Sequence, residues 1–160
     1  MNIVDHTING SELTLTRTFD APRELVWKAF TEPELIAKWW GPRGWNTKIT
    51  TMEVKPGGVW HYCMVGPNGE EAWGLSTYKE LNPPAKMIYT DAFCNAEGVI
   101  NESMPQIDVV MDFIDVDGKT KIVSKSTYAT EAELKTVVDM GMLPGITETW
   151  DRLAEHLQSV

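Results

Sequence analysis

Between Trp45 and Ala129 the sequence alternates polar and apolar residues in short runs that are separated by turn-forming residues. Two of these turns contain Asn68-Gly69 and Asp117-Gly118, pairs that tolerate the positive φ of tight hairpins. The pattern predicts six β-strands, at 46–54, 59–66, 70–81, 86–94, 106–115 and 120–129. The run 12–19 alternates in the same way and predicts a seventh strand. Strands joined in this order by short turns favour one antiparallel sheet.

Two short helices are predicted directly after the first of these strands. Asp20-Ala-Pro22 begins the first helix, with Asp20 as its cap and Pro22 in the first turn, where a missing N–H costs nothing. Thr31-Glu-Pro33 begins the second helix, and Gly41-Pro42 ends it. We expect Trp39 to anchor this second helix in the core and Trp40 to lie half exposed. The competing interpretation is that the loop 41–44, between Trp40 and Trp45, forms a lid over one end of an internal cavity.

A long helix is predicted at the C-terminal end. Thr130-Glu-Ala-Glu133 has the spacing of a capping box, and apolar residues then recur at helical spacing as far as Leu157. Pro144 lies inside this segment between Gly141 and Gly145 and removes one backbone hydrogen bond, so we expect it to bend or interrupt the helix. The predicted fold is α+β: a seven-stranded curved antiparallel sheet around a long C-terminal helix. Residues 1–160 are treated as one domain, with its core at 12–158.

The composition disfavours several functional classes. The chain has 160 residues and a net charge of −9, which works against binding nucleic acid or anionic membranes, because both need clustered cations. No apolar run is long enough for a membrane span and no secretory signal is visible, so we expect a cytoplasmic protein. Cys63 and Cys94 belong to no CxxC pair and are expected to be free thiols. The three histidines, His6, His61 and His156, lack metal-ligand spacing, so neither a metal nor another cofactor is predicted.

Several segments resemble one known superfamily. Residues 19–30, FDAPRELVWKAF, are similar to its entry into the first helix, and residues 34–42, ELIAKWWGP, to its second helix and following loop. The match continues in order at residues 56–58, 80–84, 117–120 and 151–157. The chain therefore resembles the helix-grip superfamily, also called START-like or SRPBCC. Within it, the chain is similar to the homologues of the activator of the heat-shock protein 90 ATPase.

The resemblance implies that a small hydrophobic or amphipathic molecule is bound in a cavity between the sheet and the C-terminal helix. Because related proteins act as cyclases or dehydratases, an enzyme that uses the same cavity is an alternative. The family name implies a third alternative, a partner of a chaperone ATPase in the stress response, although we expect no counterpart here of the additional N-terminal domain of the eukaryotic activators. Gly145-Ile146 stands where the family often has Gly-Trp. The identity of a relative's ligand therefore cannot be assigned to this chain. The sequence also leaves open whether the protein forms a homodimer.

Strand parity nominates the residues that face the helix, because alternate residues of a strand lie on one side of the sheet. In the strand 59–66 the inward set lies opposite His61, and in 70–81 the more apolar set contains Trp73, Leu75 and Thr77. Plain core packing is the competing interpretation for each position. The mixture of aromatic, methionine and hydroxyl side chains favours a pocket. The predicted ligand-binding residues are Trp60, Tyr62, Met64, Trp73, Leu75, Tyr89, Phe93, Met111, Phe113, Ser124, Ser126, Tyr128, Met142, Ile146 and Trp150.

The parity that turns Tyr89 and Phe93 inward also points Asp91 inward or toward the rim. A carboxyl group in an apolar cavity has a raised pKa and can exchange protons with an enolisable substrate, while a tyrosine hydroxyl holds the oxygen where charge develops. A solvated carboxylate at a strand end is the competing interpretation. The sequence has no GxSxG, GxGxxG or Walker loop. We therefore expect a binding protein rather than an enzyme, with Asp91 as the single catalytic candidate.

Overall fold

The computed structural model describes residues 4–160, which form one antiparallel sheet and four helices. The strands are β1 Asp5–Asn9, β2 Glu12–Phe19, β3 Asn46–Met52, β4 Val59–Val65, β5 Glu71–Asn82, β6 Lys86–Phe93, β7 Gln106–Val116 and β8 Lys119–Thr127. The helices are α1 Arg23–Thr31, α2 Pro33–Trp39, α3 Glu131–Asp139 and α4 Met142–Gln158. Across the sheet the order is β1-β2-β8-β7-β6-β5-β4-β3. This confirms the predicted α+β class and the helix-grip arrangement.

The sheet has eight described strands, so the prediction of seven was wrong by one. The additional strand, β1, pairs with β2 from Asp5 opposite Thr16 to Asn9 opposite Glu12. Every residue of β1 is exposed, and an exposed edge strand needs no apolar alternation. The Asn9-Gly10 pair was the available signal, because Gly10 takes the positive φ of +63° that the hairpin turn requires.

The remaining strands confirm the predicted ranges to within two residues at each end. The two short helices are also confirmed, but the start of α1 differs from the prediction. Pro22 itself is the N-cap of α1, and no side chain caps this helix, so the role predicted for Asp20 was wrong. Trp39 is fully buried and its Nε1 donates to the carbonyl of Ala29 at 3.0 Å, which confirms it as the anchor of α2.

The predicted long helix is two helices. Its start is confirmed, since the Thr130 hydroxyl accepts a hydrogen bond from the backbone N–H of Glu133 at 3.1 Å. The interruption comes at Gly141, which has a left-handed φ of +91° and separates α3 from α4. Pro144 lies in the first turn of α4, where it breaks no hydrogen bond of the preceding helix. Of the predicted bend or interruption the structure shows an interruption, and it lies at Gly141, three residues before Pro144.

Edge-to-face aromatic pairs join helices α1 and α4 to the sheet in the core. Phe19 and Trp150 meet edge to face with ring centroids 5.8 Å apart, and Phe30 meets Phe113 in the same way at 5.4 Å. Burying one such side chain contributes about 2–3 kcal/mol, so this end of the sheet fixes the helices firmly. Within residues 4–160, no helix is both long enough and apolar enough to cross a membrane.

Candidate functional site

One row of paired residues crosses four strands on the face of the sheet that the helices cover. Trp60 of β4 lies opposite Ser76 of β5, Ser76 lies opposite Asp91 of β6, and Asp91 lies opposite Ile107 of β7. Since residues paired across strands share one face, Asp91 points to the covered face. This confirms the inward parity predicted for it.

The larger of two cavities on this face has a volume of about 80 Å³. Asp91 provides the one ionisable carboxyl group of its lining, and the Ser76 hydroxyl donates to Oδ1 of Asp91 at 3.2 Å. The rest of the lining is almost entirely apolar, as expected of a site that takes the carbon part of a ligand. The lining residues are Tyr62, Met64, Ala72, Trp73, Gly74, Asp91, Ala92, Phe93 and Ile107.

Desolvation dominates the electrostatics of Asp91. It raises the pKa of the carboxyl group to about 6, while the hydrogen bonds from Ser76 and from the Ala92 backbone lower it in part. Among the described residues 4–160, no lysine, arginine or histidine side chain forms an ion pair with Asp91. The carboxyl group is thus charged at neutral pH without a compensating charge, which does not fit the interpretation of a solvated strand end.

The tyrosines around Asp91 remain protonated. Burial raises the pKa of Tyr62 well above its usual range, and the charge of Asp91 adds to the effect. The same two causes, in the same order, raise the pKa of Tyr89 and bring that of Tyr128 to about 12. Each of these hydroxyl groups can therefore donate a hydrogen bond at neutral pH.

A smaller cavity of about 20 Å³ lies on the other side of Ser76, with room for about one water molecule. Trp60 lines it, and the buried Nε1 of Trp60 has no hydrogen-bond partner within residues 4–160. A buried donor without an acceptor costs about 1–3 kcal/mol, so we expect an acceptor there. The lining residues are Phe30, Ile36, Trp40, Trp60, Ser76, Tyr78, Met87 and Tyr89.

The predicted binding residues fall into four groups. Tyr62, Met64 and Phe93 line the larger cavity, and Trp60 and Tyr89 line the smaller one. Four residues, Met111, Phe113, Tyr128 and Trp150, are buried in the core. Ser124, Ser126, Met142 and Ile146 line neither of these cavities.

The fourth group is Trp73 and Leu75, whose side chains lie on the outer face of β5 and not on the predicted inner face, although Trp73 also borders the larger cavity. Leu75 lies opposite His61 and Trp73 opposite Cys63, on the side away from Tyr62, and Thr77 shares their parity. The ring of Trp73 lies 5.2 Å from that of His61, whose Nε2 is 3.0 Å from the carbonyl of Asn95. The segment 94–100 covers this outer face of β5. The outer side chains of β5 are therefore as apolar as those on its inner face.

Neither cavity is lined by the C-terminal helix, contrary to the predicted position between the sheet and that helix. The helix residues that line a cavity are Phe30 of α1 and Ile36 of α2, and both line the smaller one. The space below α4 is filled, since Trp150 and Leu153 are almost fully buried. The cavities lie instead toward β4, β5 and β6.

Arg152 of α4 has a role that the sequence did not reveal. Its guanidinium donates to the carbonyl of Gly41 at 2.8 Å, of Lys38 at 3.0 Å and of Trp45 at 3.2 Å. These bonds hold the loop 40–45 against α4. At Gly41 the loop reaches the larger cavity, because a Cβ there would lie 3.3 Å from the Sδ of Met64. A charged residue on an amphipathic helix gives no sequence signal for such contacts.

A third depression, of about 420 Å³, lies between the β1–β2 hairpin and α3. Its lining includes Ile8, Leu134 and Val138, together with the charged Glu131 and Lys135. It offers no buried polar group that would orient a ligand. Within residues 4–160, no group of three or more His, Cys, Asp or Glu side chains is placed to hold a metal ion.

An antiparallel sheet that packs around a C-terminal helix is the arrangement of a START-like, helix-grip domain. Residues 20–158 match the family described as "Activator of Hsp90 ATPase homolog 1-like protein", and the chain belongs to this family. The resemblance predicted from the sequence is thereby confirmed.

Solved structures of bacterial proteins share the whole fold. Protein Ms6760 from Mycobacterium smegmatis is 27% identical, with a TM-score of 0.89 over 98% of this chain and 97% of that one. A protein from Staphylococcus epidermidis is 28% identical, with a TM-score of 0.86 over 96% and 93%. A protein from Arthrobacter aurescens, 23% identical, has a TM-score of 0.91 over 99% and 94%, which shows the fold alone. No curated protein matches the sequence.

Proposed function

We propose that the protein binds a small amphipathic molecule in the larger cavity, with Asp91 as the polar anchor. The observation that carries this proposal is a carboxyl group in an apolar lining whose one side-chain donor among residues 4–160 is the neutral Ser76, at 3.2 Å. An uncompensated charge in such surroundings is costly, and a polar group of a ligand would offset that cost. The binding role implied by the helix-grip resemblance points the same way.

The size of the cavity limits the ligand. At about 80 Å³ it is smaller than the roughly 300–1,000 Å³ of ordinary small-molecule sites. A molecule with a handful of heavy atoms fits without rearrangement. A larger one requires Met64 to move, which its flexible thioether side chain allows.

Native mass spectrometry of the gently purified protein tests this proposal. We expect an additional mass on the folded protein that is lost on denaturation. Ala72→Leu should abolish it, because the three added carbons fill the cavity that Ala72 lines. Ala96→Leu, at an exposed turn position, should retain it. Equal occupancy of both variants, or no binding across a panel of small amphipathic molecules, would contradict the proposal.

Proton transfer to a bound substrate is a second candidate function. It is favoured by the pKa of about 6 at Asp91, near the pH at which a general base works best. The protonated Tyr62 and Tyr89 would donate to an enolate oxygen. The test is deuterium incorporation next to the carbonyl of small ketones in D₂O. Wild-type protein should accelerate it and Asp91→Asn should not; a rate equal to that of buffer contradicts this candidate.

Activation of a chaperone ATPase is a third candidate, supported by the family to which the chain belongs. It is tested by the ATPase rate of the heat-shock protein 90 of the same organism, with and without this protein. Stimulation that saturates with protein concentration supports it, and an unchanged rate contradicts it. Cytoplasmic localisation stays a prediction, which cell fractionation tests.

A further inference from the structure

We infer that the occupant of the larger cavity is an organic cation, a small protonated amine whose ammonium group pairs with Asp91 and whose carbon atoms contact Tyr62 and Phe93. This inference rests on the proposed function and names the chemical class of its ligand. It follows from the charge of the site and from the character of its walls.

The charge of the site selects a cation. The lining of the larger cavity contains no lysine, arginine or histidine, and within residues 4–160 Asp91 has no cationic partner. A carboxylate ligand would be repelled by Asp91. An alcohol would donate one hydrogen bond to the carboxylate and leave its charge uncompensated. An ammonium group supplies both three donors and the missing positive charge.

The walls of the site are suited to the carbon atoms next to an ammonium group. Tyr62 and Phe93 line the cavity together with Asp91, and Trp60 stacks on Tyr62 with ring centroids 4.2 Å apart. Aromatic rings attract organic cations, because their faces carry negative charge. The net charge of −9 also raises the local concentration of cations around the protein.

Three probes of nearly equal shape separate the possibilities: isobutylamine, isobutanol and isobutyrate. Binding is followed by NMR through the indole N–H of Trp60 and the backbone N–H of Gly74, which report on the two cavities. At pH 7.5 we expect isobutylamine to bind at least tenfold more tightly than isobutanol, and isobutyrate not to bind.

Two variants assign the preference to one carboxyl group. Asp91→Asn should reduce the affinity for isobutylamine to that for isobutanol. Asp108→Asn removes the same charge from the outer face of the sheet, where Asp108 pairs with Thr90 and accepts a hydrogen bond from its hydroxyl. This variant should leave the preference for the amine intact. In the wild type at pH 5, the amine affinity should fall about tenfold, because the Asp91 carboxyl group, with its pKa of about 6, is then mostly protonated.

The titratable groups next to Asp91 do not contribute to this pH dependence. Burial and the charge of Asp91 raise the pKa of four groups, those of Tyr62, Tyr89, Tyr128 and Cys94. All four therefore stay neutral at both pH 5 and pH 7.5. If isobutanol or isobutyrate binds as tightly as the amine, the inference is wrong while the proposed binding function stands. If none of the three probes shifts the cavity signals, both are wrong for ligands of this size.

Discussion

The ring of Tyr62 lies directly over Gly74, so that a Cβ on Gly74 would be 2.5 Å from both Cζ and the hydroxyl oxygen of Tyr62. Gly74 and Tyr62 are paired across β5 and β4. A glycine in the middle of a strand is unfavourable unless another group needs its space. Here the aromatic ring occupies that space, and the position of the ring sets one wall of the larger cavity.

Gly74→Ala should therefore destabilise the protein by about 1–3 kcal/mol, as overpacking in a core does. Gly145→Ala is the control, since its Cβ would meet only Pro42, at an ordinary 3.8 Å, and alanine favours the helix. Urea unfolding measures both. Equal stabilisation by the two substitutions would show that Tyr62 moves freely and does not define the cavity.

Asp91→Asn should stabilise the protein at neutral pH. The pKa of Asp91 is raised from an ordinary 3.8 to about 6 in the fold, so its ionisation costs folding free energy. Well below pH 3.8 the carboxyl group is protonated in both the folded and the unfolded state, and the cost is absent. It grows as the pH rises toward 6 and is complete above that, at up to about 3 kcal/mol.

Measurements of the free energy of unfolding between pH 4 and pH 8 test this. The advantage of Asp91→Asn should appear across that window, whereas Asp108→Asn should show none of comparable size. An advantage that does not change with pH would indicate that the asparagine simply packs better.

The sequence was sufficient for most of the fold, because the apolar alternation of β2 and β4–β8 is imposed by a sheet with one face in the core. It failed where that constraint is absent. The exposed β1 buries no residue, and the position of the break between α3 and α4 depends on the left-handed φ of Gly141, which periodicity does not report.

The site was less predictable, for a different reason. The parity of β5 was decided by the apolar character of Trp73 and Leu75, yet both faces of that strand are covered, so apolarity did not distinguish them. Gly74 and Ser76, the small residues, mark the cavity side. The direction of Asp91 was predicted correctly from its neighbours, but its lack of a cationic partner required the complete structure.

Cys63 and Cys94 are free thiols, as predicted, and they should remain free in oxidant. Trp73 lies between them, opposite Cys63 and bonded through its carbonyl to the N–H of Cys94. Two strand spacings, roughly 9–10 Å, exceed the reach of a disulfide. Burial raises the pKa of both thiols, so both should react slowly with a thiol reagent at pH 7, the buried Cys63 more slowly. A loss of 2 Da after mild oxidation would contradict this.

Arg152→Met should release the loop 40–45 from α4. The arginine satisfies backbone carbonyls at Lys38, Gly41 and Trp45, and hydrogen bonds from a charged donor to partly buried acceptors are worth more than neutral ones. We expect a loss of about 2 kcal/mol and faster amide exchange in the loop, with weaker ligand retention, because the loop borders Met64 in the cavity lining.

Arg43→Met supplies the matched control for Arg152. Arg43 lies in the same loop, but its guanidinium pairs with Glu155 at the exposed surface, where ion pairs add little stability. Its substitution should leave both the melting temperature and the exchange of the Gly41 amide nearly unchanged. Should Arg43→Met loosen the loop as much as Arg152→Met does, the loop would be held by surface charge rather than by the carbonyl contacts of Arg152. Ligand retention would then fall with rising salt concentration, which the carbonyl contacts should resist.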